Sequence, residues 1–128
     1  MKGDNDLAVW IDHAEDDFNA TGKLLRGKMP SIYGACFHAQ QCAEKYMKAM
    51  LVVREQRFPM THDLVVVNTL LQQAGVDMQV SEDLLELLSS YAVRARYSGE
   101  TPELDDAKEA FLIAKQVRSF ARRFLGIE

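Results

Sequence analysis

Apolar positions along this chain recur at three- and four-residue steps almost throughout, the period of helices that bury one face. The longest such stretch, Ser31 to Arg57, contains no proline and one early glycine. Within it Ile32, Cys36, Ala39, Ala43, Tyr46, Met47 and Met50 share one side. Tyr33, Phe37 and Leu51, with Gln40 and Glu44 between them, make a second, shorter stripe; at 100° per residue it lies about 80–120° around the helix. A surface helix needs one apolar stripe, so two stripes predict a central helix packed on both sides. Ala35, Ala39 and Ala43 would let neighbouring backbones come close. Glu44 lies by the second stripe, where a lone carboxylate is costly unless it is paired.

The other segments are read in the same way. From Asp4 to Arg26, Leu7, Trp10, Ala14, Phe18 and Leu25 form a stripe that Ile11 and Leu24 widen. Acids come early there and Lys23, Arg26 and Lys28 late, the order that complements a helix dipole, and Gly27 is placed as a stop. Pro30 interrupts the chain and Ser31 is a natural N-cap for the central helix. After Pro59, Thr61 or Asp63 caps a third element built on Leu64, Val67, Leu70, Leu71 and Ala74, closed by Gly75. Its Val65-Val66-Val67 run favours a strand by propensity, but no second strand-like run exists to pair with it, so a helix is expected. Ser81 caps a fourth helix lined by Leu84, Leu87, Leu88, Tyr91 and Ala95, and the run Arg96 to Glu103 reads as a loop. Thr101 is expected to cap the last helix with Pro102 at its first position and Glu103, Asp105 and Asp106 in its first turn. Leu104, Ala107, Phe111, Ala114, Val117, Ala121 and Phe124 form its inner face. The pattern predicts an all-α fold, an antiparallel up-and-down bundle of four or five helices.

Length and composition set the class. A chain of 128 residues predicts a single domain, residues 1–128, with 48% hydrophobic and 27% charged residues, an ordinary globular balance. A formal charge of −4 argues against a general nucleic-acid coat, while leaving room for a local basic patch. Cys36 and Cys42 are six apart on one helix and cannot reach each other, which suits a reducing compartment. The start of the chain carries acid where a secretion signal would carry base, and no run approaches the roughly 18 apolar residues of a membrane helix. A cytoplasmic protein without membrane contact is expected.

The search for chemistry first excludes. There is no Glu-x-x-His pair, and His13, His38 and His62 are scattered, so no metal site is expected. No Cys-x-x-Cys, phosphate-binding glycine loop or Gly-x-Ser-x-Gly elbow occurs, and no cofactor is implied. Cys36 and His38 face different ways on the helix, so both cysteines read as small core residues. The fourth helix ends in Tyr-Ala-Val-Arg-Ala-Arg-Tyr, where Arg94 borders the inner face and needs an anion. Either Glu44 bridges to Arg94 or Arg96 and fixes packing, or the guanidinium groups hold a phosphate or nucleotide while Tyr97 stacks on a base. Lys45 and Lys48 fall on the polar side of the central helix, and Lys115, Arg118, Arg122 and Arg123 load the end of the last. A solvated face with favourable dipole placement is the simpler reading of that cluster, and RNA contact the sharper one.

Several segments together resemble the HEPN family, the higher eukaryote and prokaryote nucleotide-binding helical domains. They are Ala-Glu-Lys-x-x-Lys at Ala43 to Lys48, Pro-x-Thr-His-Asp-Leu at Pro59 to Leu64, and Arg96-Tyr97 leading into a loop. Trp10 with its following acids and the alanine-rich last helix fit the same layout. The resemblance implies a four- or five-helix bundle, a homodimer, and a minimal nucleotidyltransferase partner in a two-protein module that can act as toxin and antitoxin. It marks Glu44, Lys48, Arg94, Arg96 and Tyr97 as nucleotide- or RNA-binding residues. Many relatives are metal-independent ribonucleases with an Arg-x(4–6)-His motif, in which histidine works on the ribose 2′-hydroxyl and arginine stabilises the phosphorane. This sequence departs from that motif, because no histidine stands four to six residues after Arg94 or Arg96. A formal Arg-x(4)-His occurs earlier, at Arg57 and His62, so Arg96 and His62 are the candidates for a displaced catalytic pair. The expected function is a nucleotide- or RNA-binding subunit with little ribonuclease activity in isolation. The alternatives are a ribonuclease toxin using that displaced histidine and a purely structural dimerisation domain.

Overall fold

A computed structural model describes residues 2–97 and 101–127, with the side chains of 2–6, 92 and 94–97 excepted. Five helices follow in order: α1 (Lys2–Leu25), α2 (Ile32–Val53), α3 (Leu64–Gln73), α4 (Glu82–Tyr97) and α5 (Leu104–Leu125). No strand occurs among the described residues, and Val65 to Val67 are helical.

Helix α2 is the centre, in contact with each of the other four. Most of its C-terminal half is buried, including Tyr46, Met47, Met50 and Leu51, each stabilising the fold by about 2 kcal/mol. The second stripe is enclosed only toward its C-terminal end, where Gln40, Glu44 and Lys48 lie inside with Leu51, while Phe37 is half-buried and Tyr33 is 43% exposed. Helix α1 runs antiparallel to α2, joined by contacts from Asp17 to His38 and from Glu15 to Tyr46. It is also antiparallel to α5, as the Phe18–Phe111 and Glu15–Arg118 pairs show. Helix α5 therefore lies parallel to α2, with Arg122 on Tyr46 and Arg54 over the Phe124 ring at 5.2 Å. Buried alanines at 39 and 43 on α2 and at 107, 110, 114 and 121 on α5 permit that approach. Burial first, and then the nearby Asp106 carboxylate, push the Cys36 thiol up to about 11, and burial raises Cys42 as well. Both are inert core thiols.

Helix ends depart from the sequence reading at several places: α1 is shifted by one or two residues, α4 continues through Arg96 and Tyr97, which the sequence reading puts at the start of a loop, and α2 and α5 differ more. Helix α2 stops at Val53, not Arg57, because Glu55 turns left-handed at φ 54 and its N–H and that of Gln56 close back on Val52 and Leu51 carbonyls. Helix α3 ends with the same bonding pattern, with Gly75 at φ +83 where α2 has Glu55. A glutamate there costs about 1 kcal/mol more than a glycine. The last helix begins at Leu104, capped by Glu103, whose N–H donates to Asp106 Oδ2 at 2.8 Å. That reach-back starts the helix two residues later than Thr101 and Pro102 suggested. Asp63 caps α3 by accepting from the Val65 N–H, and Ser81 Oγ accepts from the Leu84 N–H.

Candidate functional site

The early stop of α2 lets residues 54–63 fold back across that helix, and this return builds the site. Phe58 meets Trp10 of α1 edge to face, with ring centroids 6.0 Å apart. Lys48 brings its Nζ close to both rings, 5.8 Å from the Trp10 centroid and 5.5 Å from that of Phe58. The ammonium donates to Glu44 Oε2 and to the Thr61 carbonyl, both at 2.9 Å. Gln40 Nε2 donates to the His62 carbonyl at 2.9 Å and to Glu44 Oε1 at 3.1 Å, and the His62 ring meets that same oxygen through Nδ1 at 2.9 Å. Gln40 and Lys48, about two turns apart on α2, thus hold the carbonyls of His62 and Thr61, groups that no helix satisfies.

The electrostatics follow from burial. Side chains of Glu44 and Lys48 are 4% and 6% exposed, whereas that of His62 is 78% exposed. A buried carboxylate with a single lysine would leave lone pairs unsatisfied; here Gln40 and His62 complete it. A carboxylate acceptor calls for a hydrogen on Nδ1 of the imidazole, which leaves Nε2 on the far side of the ring. The arrangement is an oriented imidazole with its far nitrogen available for proton transfer or for a hydrogen bond to a ligand.

The structure thus brings Glu44, Lys48 and His62 together. Lys48 is not on a solvated face as its spacing suggested, because the returning segment covers it and its ammonium lies near two rings. Lys45 turns instead to Asp17, which also holds His38 Nδ1, at 2.6 and 2.7 Å. The described partners of Glu44 are Lys48, Gln40 and His62. Its proposed bridge to Arg94 or Arg96, and the roles of those arginines and Tyr97, concern side chains outside the described residues.

Sequence reasoning missed a second polar cluster. Glu15 on α1 takes two bonds from Arg118 on α5, at 2.7 and 2.9 Å, and a third from the Tyr46 hydroxyl. Arg122 Nη1 donates to that hydroxyl at 3.1 Å. The Arg118 hydrogen bonds hold the Glu15 carboxyl below its ordinary range, and burial, then Glu15, push Tyr46 up to about 12. An acid at the edge of the α1 stripe and arginines four apart on α5 were the available signals.

The family model of the HEPN domain matches residues 7–124, nearly the whole chain. This chain belongs to the HEPN family. No curated protein and no solved structure matches it. In this HEPN chain the two longest signature segments, Ala43–Lys48 and Pro59–Leu64, are the two walls of one cluster, and their spacing in sequence is the span of the returning loop. Among the described residues no group of three or more His, Cys, Asp or Glu could hold a metal ion, and no helix is long and apolar enough to cross a membrane.

Proposed function

We propose that this HEPN chain is a nucleotide- or RNA-binding subunit that works in the cytoplasm, as a homodimer, with a minimal nucleotidyltransferase in a toxin–antitoxin-type module. Its binding residues are Glu44, Lys48, Arg94, Arg96 and Tyr97, with His62 at the mouth. The observation that carries the reading is the convergence of the two signature segments on Glu44, which fixes a polar, outward-facing imidazole at the surface. Arg94, Arg96 and Tyr97 stand in the last turn of α4, a helix packed against α2, and supply the guanidinium and aromatic groups that phosphate and base require.

The orientation of His62 favours a second reading, a metal-independent ribonuclease. Glu44 holds the ring by Nδ1, and Nε2 is then placed to take or give the proton of a ribose hydroxyl. One experiment separates the two: incubation of mixed-sequence RNA in chelator with wild type, His62→Ala and Arg96→Ala, scored for both binding and cleavage. Under the binding reading RNA is retained uncut and Arg96→Ala weakens retention. Robust cleavage lost in both variants establishes the ribonuclease instead. Sedimentation equilibrium at micromolar concentration tests the dimer, and a species of 14.5 kDa overturns it.

A further inference from the structure

The seam between α1 and α5 runs against the charge of the chain as a whole. The formal net charge is −4, yet two concavities, one between α1 and α5 and one along the end of α5, have no acid among their described lining residues. One, of about 380 Å³, has Phe18, Gly22 and Phe111 as its floor with Arg26 and Lys115 beside them. The other, of about 580 Å³, lies among Arg118, Ser119, Arg122, Arg123 and Gly126. Arg118 joins them, because it lines the second while its guanidinium lies 4.0 Å from the centroid of Phe18 in the first. Phe18 and Phe111 have centroids 5.4 Å apart, and Lys115 Nζ sits 4.2 Å from the Phe111 centroid.

Structural roles account for part of this. Glu15 holds Arg118, and Arg122 donates to Tyr46 and to the Ile127 carbonyl. The α5 dipole favours cations in its last turn. Neither explains Lys115, two turns earlier, nor the lack of acids among the described lining residues of both concavities in an acidic protein. Arg26, Lys115 and Arg123 have no acidic partner among the described residues. Lys115 to Gly126 covers about 16 Å of helix axis, a track rather than a point site. A cationic track with aromatic rings in its floor, its guanidinium groups held in place before any ligand arrives, is the chemistry that follows a sugar–phosphate backbone and receives an unstacked base.

We propose that a single-stranded nucleic-acid segment binds along the α1–α5 seam, its phosphates on Lys115, Arg118 and Arg123 and one base in the Phe18–Phe111 concavity. This rests on the nucleic-acid part of the proposed function and places a second contact surface away from Glu44. The test is fluorescence anisotropy with a short, labelled, mixed-sequence single-stranded RNA over a range of salt. Wild type is compared with the double variant Lys115→Glu/Arg123→Glu. Both substituted positions are exposed, and a thermal melt verifies that the fold is kept. The expected result is at least about a tenfold loss of affinity, with the log–log salt slope smaller by about 1.4 for two lost phosphate contacts. Wild-type affinity and slope in the double variant would overturn the seam and leave the proposed function standing. A wild-type protein that binds no RNA removes the nucleic-acid reading and the seam with it. Competition by polyglutamate as strong as by RNA at equal charge would assign the face to an acidic protein segment and overturn the proposal.

Discussion

Glu15 and Glu44 are both inward-facing carboxylates on neighbouring helices, and they are satisfied by opposite kinds of partner. Glu15 joins three helices through two arginines and a tyrosine, groups whose charge is constant across the physiological range. Glu44 joins one helix to the segment that returns over it, through a buried lysine and a surface histidine. The first arrangement is a clamp. The second leaves one member, His62, at the surface, where it can meet a ligand while Gln40 and Lys48 keep the loop in place. A polar cluster in a bundle can therefore be assigned by asking whether any of its members reaches solvent.

This contrast can be broken by substitution. The largest effect is expected from Glu44→Ala, which strands the Lys48 ammonium among Trp10 and Phe58 and should cost about 3 kcal/mol in urea unfolding. A loss below that of the Glu15 variant would show that the returning segment opens to let water reach Lys48. Glu15→Gln should cost less, about 2 kcal/mol, because its partners are partly solvated and can turn outward. Its pH dependence has a definite sign. The folded-state pKa is lowered, so the stabilisation is complete above the ordinary value of 4.5 and fades as pH falls through the folded value. Wild type and Glu15→Gln should thus converge in stability only in that acid window, and convergence nearer neutrality would contradict the ion-pair account. The smallest effect belongs to His62→Ala, within about 0.5 kcal/mol, since Gln40 and Lys48 still hold the carbonyls of the loop. A thermal melt measures it, and a loss like that of Glu44→Ala would make His62 a structural residue.

Helix α2 was legible because its two stripes state a fact about burial that needs no knowledge of the neighbours. Glu44 and Lys48 could be paired from their i,i+4 spacing, but the depth of Lys48 could not be read. That depth depends on Phe58, Thr61 and His62 coming back over it, and so on Glu55 turning the chain at a position where sequence rules look for glycine. The start of α5 was misplaced for a related reason, since Thr101 and Pro102 carry strong local signals that the Asp106 reach-back to Glu103 overrides. The Glu15 clamp stayed hidden because its members are 103 residues apart and each looked like a surface charge on its own helix. Periodicity reports which face is inside; it does not report which charges cross between helices.

The parallel alignment of α5 against α2 carries a consequence for biosynthesis. The groove that α5 fills exists as soon as α1 and α2 have emerged from the ribosome, yet its occupant is the last of the five helices to be translated. Through the synthesis of α3 and α4, the inner sides of Tyr46 and its neighbours have no helix to cover them, and Glu15 waits without its arginines. Apolar surface is thus open until α5 arrives, and a stop before α5 is expected to give a polypeptide that proteases degrade, not a smaller working domain.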